Sequence, residues 1–559
     1  MGFNFRYLAL PIACLTLAVF LVKLVINWRL EYRKWPEIVA TLFFAYLAFD
    51  LLLRPYRTDR WPEDGVYGIL SGHTDIDVLY HMAISHMTFF EHLPSIGAHG
   101  VLYRNFHVLQ HIVQAILMGS TGQLVYQNYY QALTLVIFPF YILCLAILLN
   151  LFKSRYYFVF LPLVFFGLCP EDFINRDESN VLSYAISCIF YYLLVKDSSV
   201  LYVAPVVFLG FLAKNATGLA LGLVYIFFQL FKKGDLKKRA LNVGLGGLAA
   251  WLGYRLTSVD YGGKPISFEP WATYNYFAKD IGAHSFAEFL TIEFGIGLLA
   301  LAFIVPHLVR RLFFQKRPVR ANANLILLSL LGVFAYSVSV IDLKFPGPTA
   351  GHVMSVSNWL LMPFLLLYIG YLFESTAQTR HPLGIVLLVI LAIVLVPTQF
   401  SLLSDRLTKY PVIAQHRAEA FQQPVSRVMQ NYFAALHFIE QADAQRQYVV
   451  EVDRSDNEFW NFVQHWTGPA YTSAFLIPVL SGRPGWNSYD PKTMYSKELY
   501  WGYSTYAYGA PHPESPCGVT KYQGIFKVRR TLEDVQDRDR VVVELLRCGD
   551  STPSLRREF

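Results

Sequence analysis

Charge is scarce in this chain: Lys, Arg, Asp and Glu make up 16% of 559 residues, while hydrophobic residues make up 54%. So few charges over such a length exclude a string of soluble domains and point to a polytopic membrane protein. No internal repeat and no low-complexity tract is visible, so the mark of a transporter built from repeated halves is missing. The first apolar run has a weak basic flank and no small-x-small site after it, and it reads as a span, not a cleaved signal. Cysteines number six. Cys14, Cys144 and Cys188 fall inside apolar runs and Cys169 at the end of one. Cys517 and Cys548 lie near the C-terminus, where an oxidising compartment leaves them either a disulfide or two free thiols.

What the chain has in abundance is apolar runs, to be judged against the roughly 20 residues needed to cross a hydrocarbon core of ~30 Å. Twelve stand out, at 7–27, 36–53, 129–151, 157–168, 181–195, 201–213, 218–231, 241–256, 289–313, 325–341, 354–373 and 383–403. Those at 157–168, 181–195 and 201–213 are short. Basic clusters follow the first, third, seventh and ninth: Arg29, Arg33 and Lys34; Lys153 and Arg155; Lys232, Lys233, Lys237, Lys238 and Arg239; Arg310, Arg311, Lys316, Arg317 and Arg320. All four fall on one side of a twelve-span count, which is then the cytoplasm. The loop 54–128, the acidic loop with Glu171, Asp172, Asp177 and Glu178, and both termini then face outward. The net charge of +7 is mostly this asymmetry, and it gives a nucleic-acid partner no support.

After residue 403 spans stop and charge rises. A helix is expected over 425–443 and strands over 448–452 and 541–546, while 481–516 is rich in Gly, Pro, Tyr and Ser, as loops are. The expected fold is an α-helical polytopic membrane protein: 1–403 with about twelve transmembrane helices, and 404–559 as a small extracytoplasmic α+β domain.

Chemistry concentrates at 71–111, which holds seven of the fifteen histidines. From Leu79 a helical period gives an apolar stripe of Met82, Ala83, His86, Phe90 and Leu93, and a polar one of Asp77, His81, Ser85, Thr88 and His92. That pattern predicts an amphipathic helix lying at the membrane surface. Asp75 and Asp77 suit a general base toward a hydroxyl, or together a divalent cation, Mg or Mn. The simpler role for Asp75 or Thr74 is an N-cap of the helix. His107 and His111 at i, i+4 have the spacing of metal ligands on one helix face, but the other histidines are too scattered for a di-iron centre. His86, His92 and His99 read as polar residues at the headgroup level, leaving His81 and His107 as site candidates. Tyr103, Arg104 and Asn105 suit a phosphate or sugar clamp, or an interfacial anchor.

Two further places gather polar groups near spans. Lys214 and Asn215 sit between two short runs on the outward side, where a lysine suits a phosphate or snorkels to the interface. Before the run at 354–373, Lys344, His352, Ser355, Ser357 and Asn358 stand among Gly and Pro, as a cavity wall does. Trp486, Tyr489, Tyr500 and Trp501 suit stacking on a sugar, or a domain core or aromatic belt.

TDIDVLYHMAISH, LYRNFHVLQH, FLAKNATG and FLIPVLSGRPGW, in that order, resemble the outward acidic loop, the following Tyr/His segment, the Lys-Asn turn and the C-terminal outward domain of GT-C type integral membrane glycosyltransferases. The family usually has one span before its acidic loop, and this chain has two. The resemblance implies transfer of a sugar from a polyprenyl-phosphate donor to a glycan, lipid or protein acceptor at the outer face of the cytoplasmic (inner) membrane. It further implies Asp75 or Asp77 as catalytic base, and Lys214, Arg104 and His352 as groups for the lipid phosphate. Family members differ in needing a metal. A flippase of lipid-linked saccharides is the alternative, and it asks for charged groups near the bilayer midplane.

Overall fold

A computed structural model describes residues 76–92, 97, 108–122, 129, 136–149, 151, 178–232, 234–257, 267–268, 343–344, 425–453, 455–463, 472–486, 516–518, 522–531 and 539–559. In chain order the first helices are α1 (Ile76–Glu91), α2 (Val108–Thr121), α3 (Phe138–Leu149), α4 (Glu178–Val195), α5 (Val200–Ala213), α6 (Asn215–Phe231) and α7 (Leu236–Thr257). The runs expected at 181–195, 201–213, 218–231 and 241–256 each lie within one of α4 to α7. Those at 7–27, 36–53, 157–168, 289–313, 325–341, 354–373 and 383–403 lie outside the described residues.

Helices α3 to α7 pack on their neighbours, and α2 leans on α4 and α5. Between α5 and α6 only Lys214 is extended, at φ −163° and ψ 126°. Its N–H still bonds the Gly210 carbonyl at 2.9 Å, so the chain turns sharply without losing that backbone bond. Asn215 then ties the start of α6 to the end of α7: its Nδ2 donates to the Thr257 carbonyl at 3.0 Å and its Oδ1 accepts from the Thr257 hydroxyl.

Outward, these helices show large apolar side chains. Leu201, Tyr202, Leu230, Leu241, Trp251 and Leu256 are all more than half exposed, an apolar surface of the kind that meets lipid or another protein. Lys232 and Arg239 gather at the α6–α7 turn, Lys232 paired with Asp197 and Arg239 donating to the Lys232 carbonyl at 2.7 Å. Among the described residues no helix is long and apolar enough to cross a membrane.

Two short strands, β1 (Ser267–Phe268) and β2 (Leu343–Lys344), pair antiparallel. The C-terminal part then runs α8 (Arg427–Ala442), β3 (Tyr448–Val452), α9 (Asn457–Trp460), a 3-10 turn (Thr472–Phe475), α10 (Leu476–Ser481), a second 3-10 turn (Pro516–Gly518), β4 (Gly524–Arg530), β5 (Val541–Arg547) and β6 (Leu555–Glu558). Strand order is β3-β4-β5-β6, the first pair parallel and the others antiparallel. Alternation along β4 and β5 sends Phe526, Val528, Val543 and Leu545 into one core with Met429, Tyr432 and Leu436 of α8. The Ser426 hydroxyl caps α8, accepting from the Met429 N–H at 3.2 Å.

Cys517 and Cys548 form a disulfide, with Cα atoms 5.5 Å apart and 31 residues of separation. It joins the turn before β4 to the residue that follows β5. Closing a loop of that length is worth roughly 2–4 kcal/mol. Cys517→Ser is therefore expected to lower stability toward denaturant by about that amount; an unchanged denaturation midpoint would count against it.

Candidate functional site

The helix expected at the membrane surface is instead a buried element. From Leu79 to Met87 every residue of α1 is buried. Its apolar stripe, with Leu79, Met82 and Ala83, enters the same core as α8, α10 and the sheet. The sequence pattern shows which stripe wants cover, but the cover comes from the C-terminal unit rather than from lipid.

The contact with that unit is specific. His86 is fully buried, and its Nδ1 donates to the Pro478 carbonyl 3.0 Å away, a residue 392 positions later. At the end of α1, Arg446 Nη1 donates to the Phe90 carbonyl at 3.1 Å, which satisfies a C-terminal carbonyl of the helix. The Arg446 guanidinium lies 4.4 Å from the Phe90 ring centre, and that of Arg483 lies 5.4 Å from it. Gly482 ends α10 at φ +62°, and a Cβ there would stand 2.7 Å from Phe90 Cε2. Glycine alone meets both demands. The segment FLIPVLSGRPGW, residues 475–486, is thus the seat of α1.

Arg483 holds that seat. Its Nε donates to Asp443 Oδ2 at 2.8 Å, both side chains being at most 2% exposed. Asp443 also accepts the N–H groups of Gln447 and Tyr448 at 3.0 and 3.1 Å. Burial lowers the Arg483 pKa, and the nearby Asp443 carboxylate opposes that shift. Trp486 is buried at 2% exposure beside Val449, Tyr522 and Ile525, so it is core and not a sugar platform. Tyr489, Tyr500 and Trp501 lie outside the described residues.

His86 is not a headgroup residue either. Burial, with the Arg483 charge adding to it, lowers its pKa from 6.5 to about 4. As pH falls below 6.5 the unfolded chain takes up this proton and the folded chain does not, so stability drops until about pH 4, by on the order of 3 kcal/mol. His86→Asn keeps a donor for Pro478 and does not titrate. Its stability is expected to be flatter over that window, and urea titrations at several pH values check this; equal slopes for both proteins would refute it.

The polar stripe of α1 faces α2. The two helices run in the same direction: His81 lies beside His111, and a methyl on Gly119 would be 3.2 Å from Phe89 Cε2. Between them four polar side chains are buried: His81, Ser85, Gln110 and His111. Ser85 Oγ donates to the His81 carbonyl at 2.9 Å and lies 2.8 Å from His111 Nδ1. Gln110 Nε2 lies 2.9 Å from His81 Nδ1 and 3.5 Å from His111 Nε2, and these two ring nitrogens are 3.4 Å apart.

Of the residues expected at the site, the structure thus brings His81 into a cluster with Ser85 of its own polar stripe, with His111, and with Gln110, which the sequence did not single out. Ser85 at i+4 from His81 was a visible signal. Gln110 gave none, and His111 showed only as the i+4 neighbour of His107, because nothing in the sequence aligns residue 81 with residue 111. Asp77 lies in the first turn of α1, four residues before His81, and Asp75 just outside the described residues. Tyr103, Arg104, Asn105, His107 and His352 lie outside them too. Lys344 lies on β2, opposite Ser267. Lys214 is 1% exposed, neither snorkelling nor open to water. Asn215 serves the α6–α7 tie. Among the described residues no group of three or more His, Cys, Asp or Glu is placed to hold a metal, and no ligand geometry for Mg or Mn at Asp75 and Asp77 is defined.

No family model matches the chain, and no curated protein matches it. Among solved structures it is similar to ArnT from Cupriavidus metallidurans in the apo state, at 13% identity and a TM-score of 0.42, over 88% of this chain and 92% of that one. A likeness of that degree carries no argument about activity.

Proposed function

We propose that this protein is a membrane glycosyltransferase that moves a sugar from a polyprenyl-phosphate-linked donor to an acceptor at the outer face of the cytoplasmic membrane. One observation carries the reading: α1, which the Asp75/Asp77 motif opens, shares a hydrophobic core with a C-terminal unit that contains a disulfide. Disulfides persist in oxidising compartments. The acidic motif therefore belongs to the outward side, against a helix held rigidly by that unit, while the basic α6–α7 turn belongs to the cytoplasmic side. The apolar outer surface of α5 to α7 supports placement in lipid.

In this reading Asp75 or Asp77 removes the proton of an acceptor hydroxyl as its oxygen bonds to the anomeric carbon. The bond from that carbon to the lipid phosphate breaks, and the phosphate leaves with the electron pair. Arg104, Lys214, Lys344 and His352 are the proposed cations for the developing charge, and Tyr103, Asn105, His81, His107 and Asn215 the proposed further contacts. A divalent cation at the aspartates would supply additional charge stabilisation.

Membranes containing the protein, supplied with polyprenyl-linked donors labelled in the sugar, test the reading. New label in a glycosidic product, absent from control membranes, is the expected result. Label that crosses the bilayer still attached to its lipid would replace the transferase with a flippase.

A further inference from the structure

The four-stranded sheet has two edges, and among the described residues its own chain closes only one of them. Along β3 the segment after α10 adds a short parallel rung: the Val450 N–H donates to the Pro484 carbonyl at 3.0 Å, and the Val450 carbonyl accepts from the Trp486 N–H at 2.6 Å. The other edge is β6, paired with β5 alone. Val541 and Phe559 exchange two backbone hydrogen bonds, at 2.9 and 3.2 Å. By the alternation of an antiparallel ladder, Arg557 then also bonds toward β5, and the N–H and C=O groups of Arg556 and Glu558 point away from it. None of those outward groups has a hydrogen-bond partner among the described residues. The side chains beside them are open too, Arg556 at 57% and Glu558 at 46% exposure. A row of unpaired backbone groups is a template for one more strand.

The charges on β6 select that strand. Since Arg556 and Glu558 are the residues that bond outward, a second β6 running antiparallel can pair through them in three registers. One sets Arg556 opposite Arg556, and another sets Glu558 opposite Glu558, each a like-charge pair that opposes the contact. In the third, a two-fold axis passes at Arg557, and Arg556 of each copy faces Glu558 of the other. Each of these unlike pairs exchanges both of its backbone hydrogen bonds, and on the opposite face of the sheet Leu555 of each copy meets Phe559 of the other. Within one copy Arg556 lies 3.8 Å from Glu544 and 3.5 Å from Glu558, and Arg540 lies 3.5 Å from Glu558. Those are long contacts between exposed groups, and they leave Arg556 and Glu558 able to turn to a partner. Arg557 meets its own copy at the axis, where its guanidinium lies over the Phe438 and Phe559 rings of its own chain, 4.5 and 5.3 Å from their centres. The repulsion left between the two arginines makes the pairing reversible.

We propose that β6 is a dimerisation edge, on which a second copy of this chain pairs antiparallel about Arg557 and joins two four-stranded sheets into one. The pairing holds whatever reaction the protein performs.

Sedimentation equilibrium of the full-length protein in detergent, over a range of concentrations, is expected to show reversible dimers. Glu558→Arg sets arginine against arginine twice and is expected to weaken the dimer by about tenfold or more. Adding Arg556→Glu in the same chain restores unlike pairs and is expected to recover it. Cysteines read the register. Arg557→Cys, at the axis, is expected to give a disulfide-linked dimer on mild oxidation, since directly opposed residues have Cα atoms about 4.5–5.5 Å apart. Arg556→Cys lies diagonal to its own copy and is expected to link far less. These variants carry the test if Glu558→Arg fails to fold. Hydrogen exchange at the Arg556 and Glu558 amides is expected to slow as the dimer forms. A monomer at every concentration overturns the proposal, as does a dimer that keeps its affinity in Glu558→Arg or that Arg557→Cys does not lock. Slow exchange of the same two amides in a monomeric preparation would give the edge to a co-purified peptide and overturn it as well.

Discussion

Asp77→Asn and Asp75→Asn are each to be compared with the wild type for sugar transfer, and at least one is expected to lose activity by about 100-fold or more while membrane insertion is intact. That size is what a general base contributes when it takes a proton in the transition state. An amide has the same shape and none of the basicity, so the loss isolates proton removal from packing. The two positions differ in a way the measurement exploits. Asp77 lies within the first turn of α1, where a carboxylate also favours the helix dipole by about 0.3–1 kcal/mol. Asp75 directly precedes the helix, where capping is worth about 1 kcal/mol and asparagine caps as well as aspartate. Structural roles of that size leave asparagine variants folded, and the Cys517–Cys548 disulfide offers a check on the fold that needs no activity. Full transfer by both variants would remove the aspartate base from the scheme.

Removing one member of the Asp443–Arg483 pair is expected to have the largest effect on stability. Each side chain is at most 2% exposed, so Arg483→Met leaves the Asp443 carboxylate buried without the guanidinium that hydrogen-bonds it. Asp443→Ala leaves a buried guanidinium and strips the Gln447 and Tyr448 N–H groups of their acceptor. Breaking a buried pair from one side typically costs about 3–5 kcal/mol. Arg483 also lies over Phe90 at the end of α1, so the loss reaches the candidate site. The check is a denaturant midpoint for the whole protein, read beside susceptibility of α1 to proteolysis. A drop in midpoint below about 1 kcal/mol would place the pair with ordinary surface ion pairs. Replacing both residues with apolar ones of similar size is expected to cost less than either single change, since no lone charge is left behind.

Much of the local structure was legible. The apolar runs over 181–195, 201–213 and 218–231 lie in helices, and the Val-rich segments 448–452 and 541–546 are strands, because run length and β-branched content are local signals. The polar stripe holding His81 and Ser85 was legible from its helical period. Its destination was not: a surface helix and a helix buried between two partners have the same stripe when one partner is itself polar. Gln110 and His111 supply that polar partner. A histidine at 86 on an apolar stripe gave no sign of the Pro478 carbonyl that accepts from it.

By itself the sequence determined the elements, the scarcity of charge, the spacing of the basic clusters along the chain, and the concentration of acids and histidines at 71–111. These are properties of single residues and of short windows, and local sterics with hydrophobic periodicity are enough to set them. Only the tertiary structure decided that α1 belongs to the core of the C-terminal unit, that Cys517 pairs with Cys548, that Trp486 is core, and that His81 meets His111. Each of those joins residues between 30 and several hundred positions apart. Contacts of that kind are chosen by shape, by complementary hydrogen bonds and by which buried polar groups can be satisfied together, and no periodicity in one segment records which distant segment will satisfy it.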